Sequence, residues 1–323
     1  MATEKFKDVR LTGGVNVTCK FKNGTVRYWR TTKEKVIADI QDVVESYSDQ
    51  GYTLTLRQLH YQLVKANLIV NHIRAYKKLG EILDDCKYSG VIDWDAFEDR
   101  TRVPYIPYSV DDVEDALQDT IDQYRLDRQR GQKDHVELWT EKDALSGILK
   151  RTTEKYHIQL VVNKGYTSSS ALYEAYHRII NSLRAEKSFT ILYFGDHDPS
   201  GLDMIRDIRD RLTMMLTKGK YEFPADGLED WFQVVPIGLS MQQIKKYKLP
   251  PNPTKLTDTR SDKYVKLHGP DCWEVDALDP PTLTAIVEKN IIERIDIPKY
   301  EKMLVLEAKG VKELESFIKN RKK

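Results

Sequence analysis

Alternating apolar and polar positions in Val15-Asn16-Val17-Thr18-Cys19, and again in Val26-Arg27-Tyr28-Trp29, predict two short strands. Asn23-Gly24 between them is a favoured type I′ turn pair, so residues 15–30 read as a β-hairpin. The spacing then lengthens to the helical period. Val36, Ile37, Ile40, Val43, Val44 and Tyr47 follow Thr31-x-x-Glu34, a capping-box pattern. A short strand is expected around Thr53-Leu54, and Thr55 is placed to cap a helix over 56–64. A further helix over 72–88 closes at Ser89-Gly90. Helix, short helix and turn in this order resemble a winged-helix or helix-turn-helix unit. The plain alternative is a small helical domain with no ligand, because shape alone says little about function.

The middle of the chain changes rhythm. Val136-Glu137-Leu138-Trp139-Thr140 predicts a strand, followed by a helix over 142–156. A second strand is expected over 158–162, then a loop over 163–169 and a helix to about Arg184. Phe189-Thr190-Ile191-Leu192-Tyr193-Phe194 is a nearly continuous apolar run, as a strand buried on both faces requires, and a helix to about Thr217 follows. A fourth strand is expected over 231–236. Strands alternating with helices imply right-handed βαβ units and a parallel sheet covered on both faces. Leu249-Pro250-Pro251-Asn252-Pro253 reads as an irregular connection into a helical C-terminal segment. The fold class is therefore mixed α/β. Its expected divisions are a hairpin and helix (1–48), a winged-helix-like domain (49–110), an acidic connection (111–130), a parallel-sheet domain (131–245) and its C-terminal extension (246–323).

Length and composition bound this picture. At 323 residues two domains are expected, with room for a third, and 40% hydrophobic with 31% charged residues describes a soluble globular chain. No uncharged apolar run approaches the ~20 residues that span a bilayer. Glu4, Lys5, Lys7 and Asp8 leave no room for a secretory apolar core near Met1. Cys19, Cys86 and Cys272 are odd in number and far apart, which argues against a disulfide framework or a cysteine zinc site and fits a reducing cytosol. The net charge of +1 shows no polyelectrolyte bias. Asp111, Asp112, Glu114, Asp115, Asp119, Asp122 and Asp127 face only Arg125, whereas bases outnumber acids from Lys299 to Lys323. Any nucleic-acid surface is then local.

Ligands of open parallel sheets bind beyond the carboxyl ends of the strands. The first central strand runs into Glu141-Lys142-Asp143, and the third into Gly195-Asp196-His197-Asp198-Pro199-Ser200-Gly201. In an extended segment Asp196 and Asp198 can project to one side, and Glu141 joins them if its strand neighbours the third. Hard oxygen donors of this kind suit magnesium, which keeps waters and takes other ligands from phosphates. Each motif alone also fits a solvated turn or a helix-capping acid. His197 lacks partners at zinc-ligand spacing and is read as solvated or as a support behind the acids. Arg57 stands one helical turn before Tyr61 and can hold a phosphate there, or be solvated while Tyr61 packs. Lys142 and Lys164 are phosphate contacts or merely exposed lysines. Arg100 and Arg102 contact DNA or pair with Asp95, Glu98 and Asp99. Glu274 and Asp276, in Trp273-Glu274-Val275-Asp276-Ala277, add carboxylates to the site or lie on the surface of a strand. No Gly-x-x-x-x-Gly-Lys-Ser/Thr, Gly-x-Gly-x-x-Gly or His-Glu-x-x-His occurs, so no ATPase is visible.

The acid after the first strand and the Asp-x-Asp after the third resemble the Toprim domain of topoisomerases, primases and related nucleases. More narrowly, Glu141-Lys142-Asp143-Ala144 and Asp196-His197-Asp198-Pro199-Ser200-Gly201 resemble the A subunit of DNA topoisomerase VI and, equally, the meiotic double-strand-break transesterases. Gly165-Tyr166-Thr167 and Pro236-Ile237-Gly238-Leu239 sit where that family has similar loops. Arg57-Gln58-Leu59-His60-Tyr61 resembles its Arg-x-x-x-Tyr motif, and Asp99-Arg100-Thr101-Arg102 its Asp-x-Thr-Arg run. The likeness covers about residues 54–277. The chain is short for such a subunit and adds the hairpin, so it looks most like the compact stand-alone homologues called Mini-A.

The resemblance implies magnesium- or manganese-dependent DNA cleavage in which Tyr61 attacks a phosphodiester and stays joined to a 5′ end. Asp196 and Asp198 would hold the metal, and Glu141 would complete its shell or act as general acid/base. It also implies duplex DNA as partner, a homodimer in which one protomer's tyrosine meets the other's metal site, and an ATP-driven gate on a separate B-type polypeptide. No membrane is involved, and the expected location is the cytoplasm, on DNA or the nucleoid. Two rival functions remain: a Toprim nuclease that hydrolyses DNA without Tyr61, and a non-catalytic DNA-binding subunit.

Overall fold

Burial follows the two periods of the sequence. The computed structural model describes residues 18–21, 24–27, 33–98, 107–219, 221, 223–254 and 260–321. Strands β1 (Thr18–Phe21) and β2 (Gly24–Arg27) pair antiparallel, with Cys19 opposite Val26 and Phe21 opposite Gly24. Gly24 thus belongs to the second strand and not to the turn expected at Asn23-Gly24. Val15, Asn16, Val17, Asn23, Tyr28, Trp29 and Thr31 lie outside the described residues.

Helix α1 (Lys33–Ser48) buries Val36, Ile40, Val44 and Tyr47, the stripe legible in the sequence. Leu54 makes a single parallel bridge to Phe97 in place of the expected strand. No room for a longer strand remains, because α2 (Leu56–Lys65) opens two residues on, with a complete capping box between Thr55 and Gln58. Helix α3 (Ile73–Tyr88) is capped by His72, whose ring accepts the Arg74 N–H at 3.1 Å. Leu59, Leu63, Leu79 and Leu83 close this core.

Helix α4 (Val113–Gln123) occupies the acidic stretch, with Asp112 accepting the N–H groups of Glu114 and Asp115. These acids at a helix start complement its dipole. Then come β3 (Asp134–Thr140), a 3-10 turn at Asp143–Leu145, α5 (Ser146–Tyr156), β4 (Gln159–Val162), α6 (Ser169–Arg184), β5 (Ser188–Phe194), α7 (Pro199–Lys218) and β6 (Phe232–Gly238). The four strands form a parallel sheet in the order β4-β3-β5-β6. Thr140 is in register with Val162 on one side and Phe194 on the other. Trp139, Phe189, Ile191 and Tyr193 pack with Leu172, Ile179, Ile208 and Leu212 from the helices. One charge is sealed into this layer. Glu137 is fully buried and takes a bidentate fork from Arg178, at 2.6 and 3.0 Å, and the Trp139 indole N–H at 2.8 Å.

The remaining elements are α8 (Met241–Tyr247), β7 (Asn252–Pro253), α9 (Ser261–His268), β8 (Asp271–Cys272), a 3-10 turn at Val275–Ala277, α10 (Pro280–Ile292) and α11 (Ile297–Arg321). The Pro-rich stretch is not wholly irregular: Asn252 and Pro253 pair with Cys272 and Asp271. Asp276 is not on the surface of a strand either, but fully buried in the 3-10 turn. Glu307 on α11 receives the Leu126 N–H at 2.9 Å and Arg128 at 2.8 Å. Any Cβ on Gly310 would come within 2.5 Å of Tyr124 Oη, so this glycine lets the tyrosine lie against the helix.

Two compact units emerge, and neither is continuous in sequence. The first comprises Met1–Thr101, Gly195–Asp203 and Gly238–Leu283; the second comprises Arg102–Phe194, Met204–Ile237 and Thr284–Lys323. The sheet's core lies in the second, while the Asp-x-Asp loop belongs to the first. No helix among the described residues is long and apolar enough to cross a membrane.

Candidate active site

The capped start of α2 fixes the rotational phase of the helix. Arg57, Tyr61 and Lys65 recur every four residues and share one side of it. Each meets a residue of the same unit far along the chain, among Asn252, Glu274, Asp276 and Asp279. Arg57 pairs through Nη2 with Glu274 and through Nε with Asp276 Oδ2 at 3.2 Å. Tyr61 Oη accepts from Asn252 Nδ2 at 3.2 Å, and Lys65 Nζ lies 3.1 Å from Asp279 Oδ2. The Asn71 amide donates to Asn252 Oδ1 as well. A cleft of about 210 Å³ opens here, lined by Arg57, His60, Tyr61, Asn71, Tyr76 and Glu274 among others.

Burial and charge set the protonation states. Tyr61 is only 5% exposed, and burial followed by the Glu274 charge pushes its hydroxyl up to about 12. The phenol is therefore protonated at neutral pH. Burial opposes the charge on Arg57, but Asp276 and Glu274 outweigh it and raise its pKa. His60 is buried, which lowers its pKa and keeps the ring neutral; its Nε2 lies 3.4 Å from Asn71 Oδ1.

The Asp-x-Asp loop joins the same unit through backbone bonds. His197 and Trp273 exchange N–H···O bonds of 2.9 and 3.0 Å. Asp196 Oδ1 accepts the Val275 N–H at 2.7 Å, so this buried acid is tied to the segment carrying Glu274 and Asp276. Asp198 Oδ1 accepts the Gly201 N–H at 2.6 Å, at the start of α7. His197 is not solvated. It is buried, with Nδ1 2.8 Å from Tyr264 Oη, and burial followed by the neighbouring His268 lowers its pKa. It supports the loop from behind, the alternative that its position between two acids left open.

Gly201 makes this close approach possible. A Cβ there would fall 2.5 Å from the Asp196 carbonyl oxygen and 3.2 Å from Asp198 Oδ1. Gly201→Ala should shift both acids at a cost of about 1–3 kcal/mol, the usual range for overpacking. Thermal denaturation checks the stability, and calorimetric titration with manganese checks the acids. Unchanged melting and metal affinity would remove this role from Gly201.

Glu141, one residue past β3, accepts the Lys164 N–H on its carbonyl at 3.0 Å. Lys164 Nζ pairs with Asp143 Oδ2 at 3.1 Å, although the side chain stays largely exposed, and the Lys142 N–H donates to Thr140 Oγ1 at 3.3 Å. Arg100 and Arg102 lie outside the described residues. No group of three His, Cys, Asp or Glu among the described residues stands close enough to hold a metal ion. Asp196 and Asp198 still fit magnesium, since it needs only one or two carboxylates and completes its shell with water and phosphate oxygens. Each acid also has one oxygen fixed by a backbone N–H.

Sequence reasoning missed Lys65, Asp279, Asn71 and Asn252. Only Lys65 carried a signal, four residues beyond Tyr61 on the same helical side. No family model matches the chain, and no curated protein does.

Proposed function

We propose that this chain cleaves duplex DNA by magnesium- or manganese-dependent tyrosine transesterification, in the manner of a type IIB topoisomerase A subunit. The observation that carries this reading is the side of α2 bearing Arg57 and Tyr61, which lines one cleft in the unit that also holds Asp196 and Asp198. Tyr61 Oη attacks phosphorus, the bond from phosphorus to the 3′ oxygen breaks, and the protein remains on the 5′ phosphate. The phenolic proton passes to solvent, and a solvent proton restores the 3′ hydroxyl. Arg57 orients the attacked phosphate with its fork of donors. Asp196 and Asp198 would hold the metal, which when bound supplies charge neutralisation at the phosphate. On the resemblance, Glu141 would complete the metal set or act as general acid/base. Lys142, Lys164, Arg100 and Arg102 contact DNA. The test is recovery of DNA covalently joined to the protein after denaturation of a magnesium reaction.

Hydrolysis by a Toprim-type nuclease is the second reading, favoured by the burial of Tyr61 and its raised pKa. It yields cut DNA without adducts. Retention of DNA with neither product would leave a binding subunit.

The proposed assembly is a homodimer on DNA at the nucleoid, with a separate B-type ATPase for strand passage. A two-fold dimer matches the two strands of a duplex. Mixed dimers of Tyr61→Phe and Glu141→Gln protomers tell sites built across the dimer from sites within one chain. Across the dimer, one site is intact and single-strand nicking returns. Within one chain, every site keeps a lesion and no cleavage appears.

A further inference from the structure

Tyr61 Oη accepts from Asn252 Nδ2 at 3.2 Å, and Asn252 Oδ1 in turn accepts from the Asn71 amide. The direction of this row is set at its far end. Asn71 Nδ2 also lies 3.4 Å from the Pro251 carbonyl, which can only accept. The Asn71 amide therefore turns its nitrogen towards residues 251 and 252 and its oxygen towards His60. His60 Nε2, 3.4 Å from that oxygen, then carries the ring proton. The other ring nitrogen, Nδ1, is buried and has no hydrogen-bond partner among the described residues. A bare lone pair there costs less than an unsatisfied charged N–H, in keeping with a neutral ring. Three N–H donors in succession, from His60, Asn71 and Asn252, thus point towards the phenolic oxygen.

We infer that Asn252 is a catalytic donor to the Tyr61 oxygen, and that Asn71, held by His60 and Pro251, is the positioning residue that keeps the Asn252 N–H turned towards it. The inference rests on the transesterase reading for the reaction it serves, but not for the donor row itself. As the phenolic proton leaves to solvent, the Asn252 N–H stabilises the negative charge left on Oη. The bond from Oη to phosphorus then forms as the bond to the 3′ oxygen breaks, and no proton travels along the row. A hydrogen bond to a charged oxygen is stronger than one to a neutral oxygen, so this donor favours the ionised nucleophile. Being fixed beforehand, it needs no reorganisation during the reaction. Burial and the Glu274 charge raise the Tyr61 pKa, and the Asn252 bond is the largest influence against them, ahead of Arg57. Asn252 stands on β7, where backbone pairing with Cys272 holds it, so its side chain can be changed without removing that pairing.

The test places a fluorinated tyrosine at position 61 of the full chain and follows its ionisation by fluorine NMR, without DNA. Asn252→Leu keeps the shape of the side chain and removes the donor. Ionisation should move up by about one pH unit, an about tenfold smaller phenolate fraction at a given pH. Asn71→Leu should move it up by less, because Asn71 acts through Asn252. With the ordinary tyrosine, Asn252→Leu should form adducts several-fold more slowly at saturating DNA. Its DNA affinity should hold, since Asn252 carries no charge. Should Asn252→Leu fail to fold, the side-chain amide resonance of Asn252 is compared between wild type and Tyr61→Phe, and it should shift. Unmoved ionisation in folded Asn252→Leu, or an amide resonance indifferent to Tyr61→Phe, overturns the donor row. Shifted ionisation with an undiminished adduct rate overturns the catalytic role. Shifted ionisation in a protein that forms no adduct even as wild type keeps the row and removes the transesterase reading.

Discussion

Tyr61→Phe should abolish covalent protein–DNA adducts, lowering their yield by at least about 10³-fold, since no other group replaces an absent nucleophile. The substitution removes one oxygen and leaves Arg57, Lys65 and the acids untouched. The lost bond from Asn252 has a net worth of about 0.5–1.5 kcal/mol, and the Asn252 side chain keeps its contact with Asn71. Fold and DNA affinity should therefore survive, as circular dichroism and filter binding would report. The wild-type reaction should accelerate with pH over the whole neutral and alkaline range. The Tyr61 hydroxyl is pushed up to about 12, so the phenolate fraction rises tenfold per pH unit below that value. Undiminished cleavage by Tyr61→Phe would hand the chemistry to the carboxylates and to water.

Arg178→Ala should strongly destabilise the fold. Glu137 is fully buried and Arg178 supplies two of its hydrogen bonds, so truncation leaves a carboxylate charge sealed in the sheet. Breaking such a pair from one side costs about 3–5 kcal/mol. At about 2–4 °C per kcal/mol, melting should fall by on the order of 10 °C. The double variant Glu137→Gln with Arg178→Met should recover much of this, because the amide still accepts the Trp139 indole and no unpaired charge remains. Burial alone would raise the Glu137 pKa, but His135, Arg178 and Trp139 outweigh it and hold the group below its ordinary value. A depressed carboxylate stabilises the fold above its unfolded pKa of about 4.3, and that contribution fades as pH falls through the lower folded value. Wild type should thus lose stability on acidification below about pH 4.3, and the double variant should lose less there. A melting shift of Arg178→Ala within a degree or two of wild type would show that the pair contributes little.

Local physics made the parallel sheet legible. The apolar run Phe189–Phe194 is buried along its length, and Thr55 with Gln58 closes the box its spacing promised. The hairpin pairs antiparallel as expected, except that Gly24 stands in the second strand opposite Phe21. For His197 two readings stayed open because an aspartate on either side suggests water, and Tyr264 and Trp273, which enclose it, select the supporting one. The partners of Arg57 were hardest to foresee. Glu274 is 217 residues away, and no local periodicity encodes a pairing at that range. Glu274 and Asp276 carried a signal only as acids near a strand-like run, and Asn252 sat unmarked among prolines.

The interleaving of the two units limits how the polypeptide can be made and dissected. A chain emerging from the ribosome presents α2 long before residues 252–279 exist, so Arg57 and Lys65 pass through synthesis without their acidic partners. The first unit cannot close until Leu283 has been translated. By then the β3–β5 layer of the second has already been translated, and domains that fold as units normally do so in order of synthesis. A fragment ending near Thr101 should accordingly expose α2 to proteases that spare the full chain, and no single cut yields both units whole.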